Sequence, residues 1–364
     1  MNIESELKKD GIEVIFQIDT LVVNSIAKNV ARRIVESFPE LELDESDLFS
    51  KFARLNMYKA SFPDGMAEAS YYYKNKSIYF NDYIDYSDLE EFAIHECIHY
   101  IQERLDEKGR LQRMGLSDYS KSKATGIAIN EAAVQYSASL VIGVEPDFEK
   151  YYDINLFTPS PSYYPLECAL LNQIIYFTDK TELFKSTFFS TDDFKNKINE
   201  LTQENTYEKI QNYFDKLLDL EEQTIKISAK INNLPDGSTK YQGLTNKLDK
   251  SKKKIADMFF KTQNLIITTF FENEYTRIST LEDLETFRHK LENFKPIIAS
   301  NEDYTFFEDF YTEIMNKLEH KYNVLENGGI ETALFVESKK SHFEWLHKLF
   351  SLIFKKSHEK EIKQ

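Results

Sequence analysis

The chain has 364 residues, 41% hydrophobic and 29% charged, with a formal net charge of −16. That length suffices for two or three domains with a well-buried core, and the scarcity of Gly (10) and Pro (8) leans towards helix. A carboxylate surplus of this size repels phosphates and argues against nucleic-acid binding, and two cysteines, Cys97 and Cys168, exclude a disulfide framework. The first residues, MNIESELKKDGIEV, hold acidic groups and no apolar run, and no run in the chain is long enough to span a bilayer. A cytoplasmic protein is therefore the expectation, with export by a route that leaves no N-terminal mark still open.

In chain order, Gly11 to Ile18 is strand-like, Thr20 to Phe38 is an amphipathic helix halted by Pro39, and Asp44 to Leu55 is a second helix. Met66 to Asn81 is rich in β-formers. The turn residues Lys74-Asn75-Lys76 divide it, which predicts a β-hairpin. Ser87 to Lys108 follows as a helix, with a Ser87/Glu90 capping-box pattern, an apolar stripe through Leu89, Ala93, Cys97, Ile98, Ile101 and Leu105, and a stop at Gly109.

Leu111 to Tyr119 is expected as a loop and Ile127 to Ile142 as a helix of small residues ended by Gly143. A proline-punctuated loop, Thr158 to Pro165, leads into a short apolar helix, Leu166 to Phe177, and the first domain is expected to close between Thr187 and Asp193. Two long helices, Tyr207 to Ile231 and Tyr241 to Phe271, turn at Asn232 to Ser238, with a heptad-like seam through Tyr241, Leu244, Leu248, Ile255, Met258 and Leu265. A helix capped by Ser279 and Glu282 and another over Asp303 to Val324, stopped by Gly328-Gly329, complete a helical bundle. Glu337 to Gln364 is locally basic, with Trp345 beside Phe343, Leu346 and Leu349. Its first reading is a packing helix and its second a membrane-surface helix. The expected class is α+β, mostly α, over three segments: 1–190, a helical bundle at 191–330 and a basic tail at 331–364.

The chemistry concentrates in His95-Glu96-Cys97-Ile98-His99. On a helix, the two histidines of H-E-x-x-H lie one turn apart on one face, with the Glu beside them, which suits a divalent metal and an adjacent general base. Catalytic zinc takes three protein ligands, and the remaining histidines all lie in the C-terminal half. A carboxylate from the N-terminal half is the expected third ligand. Glu131 stands on a separate small-residue helix, where an unpaired carboxylate is costly to bury. Glu103 and Asp118 are its rivals. Cys97 is expected to be a buried small hydrophobe.

His95-Glu96-Cys97-Ile98-His99 followed by Asn130-Glu131-Ala132-Ala133 on a later helix resembles the gluzincin group of zincin metallopeptidases. The resemblance covers about residues 66 to 143 and stops short of the helical second half. It implies a zincin-like domain, zinc (Zn2+) held by His95, His99 and Glu131, Glu96 as general base, and a peptide or protein substrate laid along a hairpin edge. Some members carry Asp one turn after the ligand glutamate, where this chain has Gln135. An oxyanion donor is expected from Tyr163, Tyr164 or Tyr136. The function so implied is zinc-dependent peptide hydrolysis. The alternatives are a non-catalytic zincin-like protein whose bundle docks a protein partner, and a hydrolase acting on another bond.

Overall fold

The computed structural model describes residues 3–9, 11–63, 68–121, 123–232, 234 and 238–327, so the basic tail and the Gly328-Gly329 stop lie outside the described residues. The elements begin with α1 (Ile3–Lys9), β1 (Glu13–Gln17), α2 (Thr20–Ser37), α3 (Glu45–Phe52), β2 (Asn56–Ser61), β3 (Ala69–Tyr72), β4 (Ser77–Asn81) and α4 (Leu89–Gln102). Then come β5 (Glu103–Leu105), β6 (Leu111–Met114), β7 (Ser117–Asp118), α5 (Ile127–Ile142), β8 (Asp147–Tyr151), β9 (Ile154–Thr158), α6 (Pro165–Ile175), α7 (Lys180–Phe189) and α8 (Asp193–Leu201). Four helices end the described chain: α9 (Thr206–Asn232), α10 (Thr239–Arg277), α11 (Leu281–Phe294) and α12 (Phe306–Glu326). The class is α+β and mostly α. Among the described residues no helix is long and apolar enough to cross a membrane.

Two compact units divide the chain, Met1–Thr276 with Lys290–Phe307, and Arg277–His289 with Glu308–Gln364. The second buries Leu284, Phe287, Ile314 and Leu318. In the first, a four-stranded sheet runs in the order β1-β2-β4-β3, with β2 and β4 parallel and the expected hairpin of β3 and β4 antiparallel. The hairpin therefore ends in an edge strand, β3, which packs on α4. Lys59 of β2 is buried and donates from Nζ to the carbonyls of Asn81 (3.1 Å) and Ile84, fixing the loop that feeds α4. Burial pulls its pKa down.

Helix α4 differs from the sequence expectation at both ends. The Ser87/Glu90 box does not form: Asp88 is the N-cap, without a side-chain cap bond. Glu90 is drawn away by Arg33 (3.0 Å) and Asn29 (2.9 Å) of α2, and Arg33 also donates to the Val141 carbonyl at the end of α5 (3.0 Å). The helix stops at Gln102, not at Gly109. Glu103 leaves it as the first residue of β5, accepting from the Tyr71 hydroxyl and pairing with Lys76, and Gly109 turns the β5–β6 strand connection. The expected loop over 111–119 is thus two strands of a small sheet, β5-β6-β7. The β8–β9 hairpin, with Tyr152 and Asp153 both at positive φ in its turn, had no sequence counterpart.

Helix α5 occupies the predicted span and is apolar nearly all round, so it is buried on most sides, against α4, α6, α7 and α9. Gly126, its N-cap, offers no side chain. Asp215 of α9 caps the helix instead, accepting from Gly126 N (2.7 Å) and Ala128 N (3.1 Å). A side-chain cap is worth about 1 kcal/mol. On α10 the buried line runs through Ile255, Phe259, Thr262, Ile266 and Phe270. Of the expected seam only Ile255 is buried.

Glu167, in the first turn of α6, is wholly buried, and neither carboxylate oxygen meets a donor among the described residues. Its facing partner is Glu221 of α9, and burial raises the pKa of both carboxyls, that of Glu221 further through the Glu167 charge. One proton shared by the two satisfies both groups better than two charges. A folded-state pKa above the ordinary 4.5 means stability fully present below that value and lost as pH rises through the raised one. The expected result is a Glu167→Gln variant whose melting temperature falls less than the wild type's between pH 5 and 9, read by thermal unfolding across that range. Identical profiles would show that the two carboxyls share no proton.

Candidate metal centre

The histidines of α4 point from one helical face towards α5, which brings Glu131 opposite them. His95 Nε2 and His99 Nε2 lie 3.0 Å apart, and Glu131 Oε2 lies 3.3 Å from the first and 3.4 Å from the second. Three atoms so spaced can all be reached from one point about 2.1 Å away, the usual Zn–N distance. His95, His99 and Glu131 thus form a group that could hold a metal ion.

Electrostatics favour positive charge at that point. Burial, the largest single influence, lowers the His99 pKa, but the charge and hydrogen bond of Glu131, the Glu96 charge and the Gln102 bond together outweigh it and carry the imidazole up to about 9. Burial likewise raises Glu131, and the charge of His99 with hydrogen bonds from both histidines reverses this and holds the carboxyl well below its ordinary range.

The far nitrogen of each ring is held by an amide. His95 Nδ1 donates to Gln135 Oε1 (3.0 Å), and the Gln135 amide is itself oriented by a bond from Nε2 to Ser139 Oγ (3.3 Å). His99 Nδ1 donates to Gln102 Oε1 (3.3 Å). An amide oxygen only accepts, so each Nδ1 carries a proton, and each Nε2, once it gives up the proton it shares with Glu131, can present its lone pair to the centre. Gln102 is wholly buried in a reciprocal pair with Asn130, the residue before Glu131, at 3.3 and 3.2 Å. This amide pair locks the end of α4 to the start of α5. Gly115 lies against it at positive φ, where a Cβ would stand 2.2 Å from Asn130 Oδ1. Outer partners of metal ligands typically contribute 10- to 100-fold in affinity. Gln135→Ala is therefore expected to weaken metal binding by roughly that factor, measured by competition with a chromogenic chelator.

Glu96 is 7% exposed and is not among the three converging groups. Its Oε2 accepts from the Tyr71 N–H of edge strand β3 at 2.6 Å. Burial raises its pKa, against the opposing charges of His95 and His99. Cys97 is wholly buried, with its thiol pushed well up by burial, as expected of a packing residue.

Of the rival carboxylates, Glu103 is held by Tyr71 and Lys76, and Asp118 accepts from Ser120, so neither joins the centre. Of the three tyrosines, only Tyr164 reaches it. Its ring lies parallel to that of His95 (6.3 Å, 14°), and its hydroxyl feels the Glu131 charge. The Glu131 charge, then burial, raise its pKa well above the ordinary value, so the phenol stays a donor. Tyr163 packs on Phe92, and Tyr136 is buried against Phe184. Tyr119, which sequence reasoning left in a loop, also comes near: burial and the Glu131 charge push it up to about 12. No local pattern marks it, since a long-range fold places it there.

Comparison with protein-family models, with curated proteins and with solved structures gave no match to this chain.

Proposed function

We propose that the chain is a zinc-dependent metallopeptidase of the zincin type, with a gluzincin-like ligand set of His95, His99 and Glu131 and with Glu96 as general base. The observation that carries this reading is the meeting of those three ligand atoms beside a buried glutamate that belongs to the same motif but not to the ligand set. When bound, zinc supplies Lewis acidity towards a scissile carbonyl and towards water.

The chain's own groups supply the rest. Glu96 Oε2 is held by the Tyr71 N–H, which leaves Oε1 to take the proton of the attacking water and return it to the departing amine. The raised pKa of Glu96 suits a group that must hold and release a proton. The Tyr164 hydroxyl, kept protonated, is the donor for the oxygen that gains charge. Strand β3 is the sheet edge beside α4, where an extended peptide can pair through backbone hydrogen bonds. In this reading the zincin-like domain takes in residues 1–190, within the unit that α9 and α10 also join, and the helices after residue 190 are available to a protein partner.

The test is metal removal and return. Purified protein is expected to carry about one zinc per chain, to cleave a mixed peptide library, to lose cleavage on treatment with a chelator and to regain it with zinc. Protein that takes up no metal at micromolar supply would overturn the reading. Protein that takes up zinc and cleaves no peptide would assign the centre to another role.

A further inference from the structure

Residues 223–256 hold eight lysines against two aspartates, in a chain whose net charge is −16. Those of them that are described belong to the distal part of the α9–α10 helix pair and the turn between. The two helices run antiparallel, with Thr224 Oγ1 2.6 Å from Ser251 Oγ and Lys261 over the Tyr213 ring at 5.1 Å. Beyond these contacts the pair leaves the core. Thr239–Lys250 contains no buried residue, while Ser251 to Phe271 contains nine.

The lysines are ordered. Lys240, Lys247, Lys250 and Lys254 of α10 are exposed and spaced by seven, three and four residues, which puts them on one helical stripe about 21 Å long. Measured from the packing line through Ser251 and Ile255, the stripe lies on one angular side. Measured from Thr224 and Ile227 on α9, Lys226 and Lys230 lie on the same side, and in antiparallel helices equal angular sides share a face. Asp249 falls on the opposite face. Lys226 pairs with Glu222 at the base of the arm, and the other five form no ion pair among the described residues.

We propose that this lysine face is a docking surface for an anionic membrane, through lipid headgroups. The composition of the face decides among anionic partners. It carries no arginine for bidentate phosphate or base contacts and no aromatic for stacking, which nucleic-acid readers use. It has no aromatic or arginine anchor of the kind that holds protein interfaces, where lysine is depleted. Point charges on one flat face are sufficient for headgroups, at about 1 kcal/mol per lysine near the surface. The arm also solves a problem of charge. The rest of the chain is strongly negative and is repelled by such a surface unless it is held beyond the screening length, about 8 Å at physiological salt. The arm leaves the core, so most of its lysine face lies beyond the acidic remainder along the helix axis.

The experiment is co-sedimentation of the full chain with vesicles of phosphatidylcholine alone or with phosphatidylserine, over a range of salt. Binding is expected only with phosphatidylserine and is expected to weaken as salt rises. The triple variant Lys240→Glu, Lys247→Glu, Lys254→Glu alters exposed side chains only, and circular dichroism checks its fold. It is expected to bind at least about 100-fold more weakly, roughly five-fold per lysine. Charge reversal of Lys348, Lys355 and Lys356 in the C-terminal tail is expected to leave binding unchanged. The proposal is overturned if the arm variant binds as the wild type does, if only the tail variant loses binding, or if the chain binds nucleic acid or its own copies through these lysines and not the vesicles.

Discussion

Glu96→Gln is expected to keep the metal and the fold while peptide hydrolysis falls by about 10²- to 10⁴-fold, the usual contribution of a positioned general base. The reasoning starts from burial. Glu96 is 7% exposed and its oxygen is already held by the Tyr71 N–H. A glutamine has the same shape and can accept the same hydrogen bond, so the local packing is kept. A neutral amide is cheaper to bury than a carboxylate, so thermal stability is expected to stay level or rise. Glu96 is outside the set of converging ligand atoms, so metal content is expected to stay at the wild-type level. What the amide cannot do is take up a proton. Turnover measured alongside metal content separates the possibilities. Undiminished turnover would place the base elsewhere, and loss of metal would make Glu96 a structural residue.

Glu131→Gln is expected to abolish metal retention. Glu131 is the one anionic member of the ligand set, and its carboxyl is held far below the ordinary range by His99 and by hydrogen bonds from both imidazoles. Removing its charge leaves two neutral nitrogens 3.0 Å apart, with nothing to balance a dication. The loss is expected to exceed the 10- to 100-fold typical of an outer partner such as Gln135. Metal analysis after dialysis against a weak chelator reads it directly, with Glu103→Gln as the control expected to retain metal. If the two variants behave in the opposite way, the third ligand is misassigned.

The parts of the fold that were legible in the sequence are those dictated locally. The motif helix follows from the spacing of His95 and His99. Helix α5 is marked by a span of small and apolar residues between Gly126 and Gly143, and the β3–β4 hairpin by aromatic runs on either side of Lys74-Asn75-Lys76. What escaped depends on distant partners. The Ser87 cap fails because Arg33, 57 residues away from Glu90, claims that carboxylate. Helix α4 ends early because Glu103 is held by Tyr71 and Lys76 of the hairpin. Strands such as Asp147–Tyr151 alternate weakly and are exposed along most of their length, so they carry no core-facing pattern. At the centre, His95, His99 and Glu131 could be named from residue type and spacing. Tyr164 could not be singled out among 22 tyrosines. Its one distinguishing sign is Pro165, a favoured first residue of a helix, which marks Tyr164 as the N-cap of α6.

The bond from the Tyr71 amide to Glu96 couples two tasks that are usually separate. An edge strand is where an incoming chain would add itself to the sheet, and here the same strand steadies the proton acceptor. Any displacement of β3 is transmitted to the carboxylate within one hydrogen-bond length. In the proposed reaction a long peptide, by pairing along β3, tightens the seat of the acceptor, and a short one leaves it looser. Substrate length is then read in the speed of the chemical step as well as in affinity, a form of selection that needs no side-chain pocket.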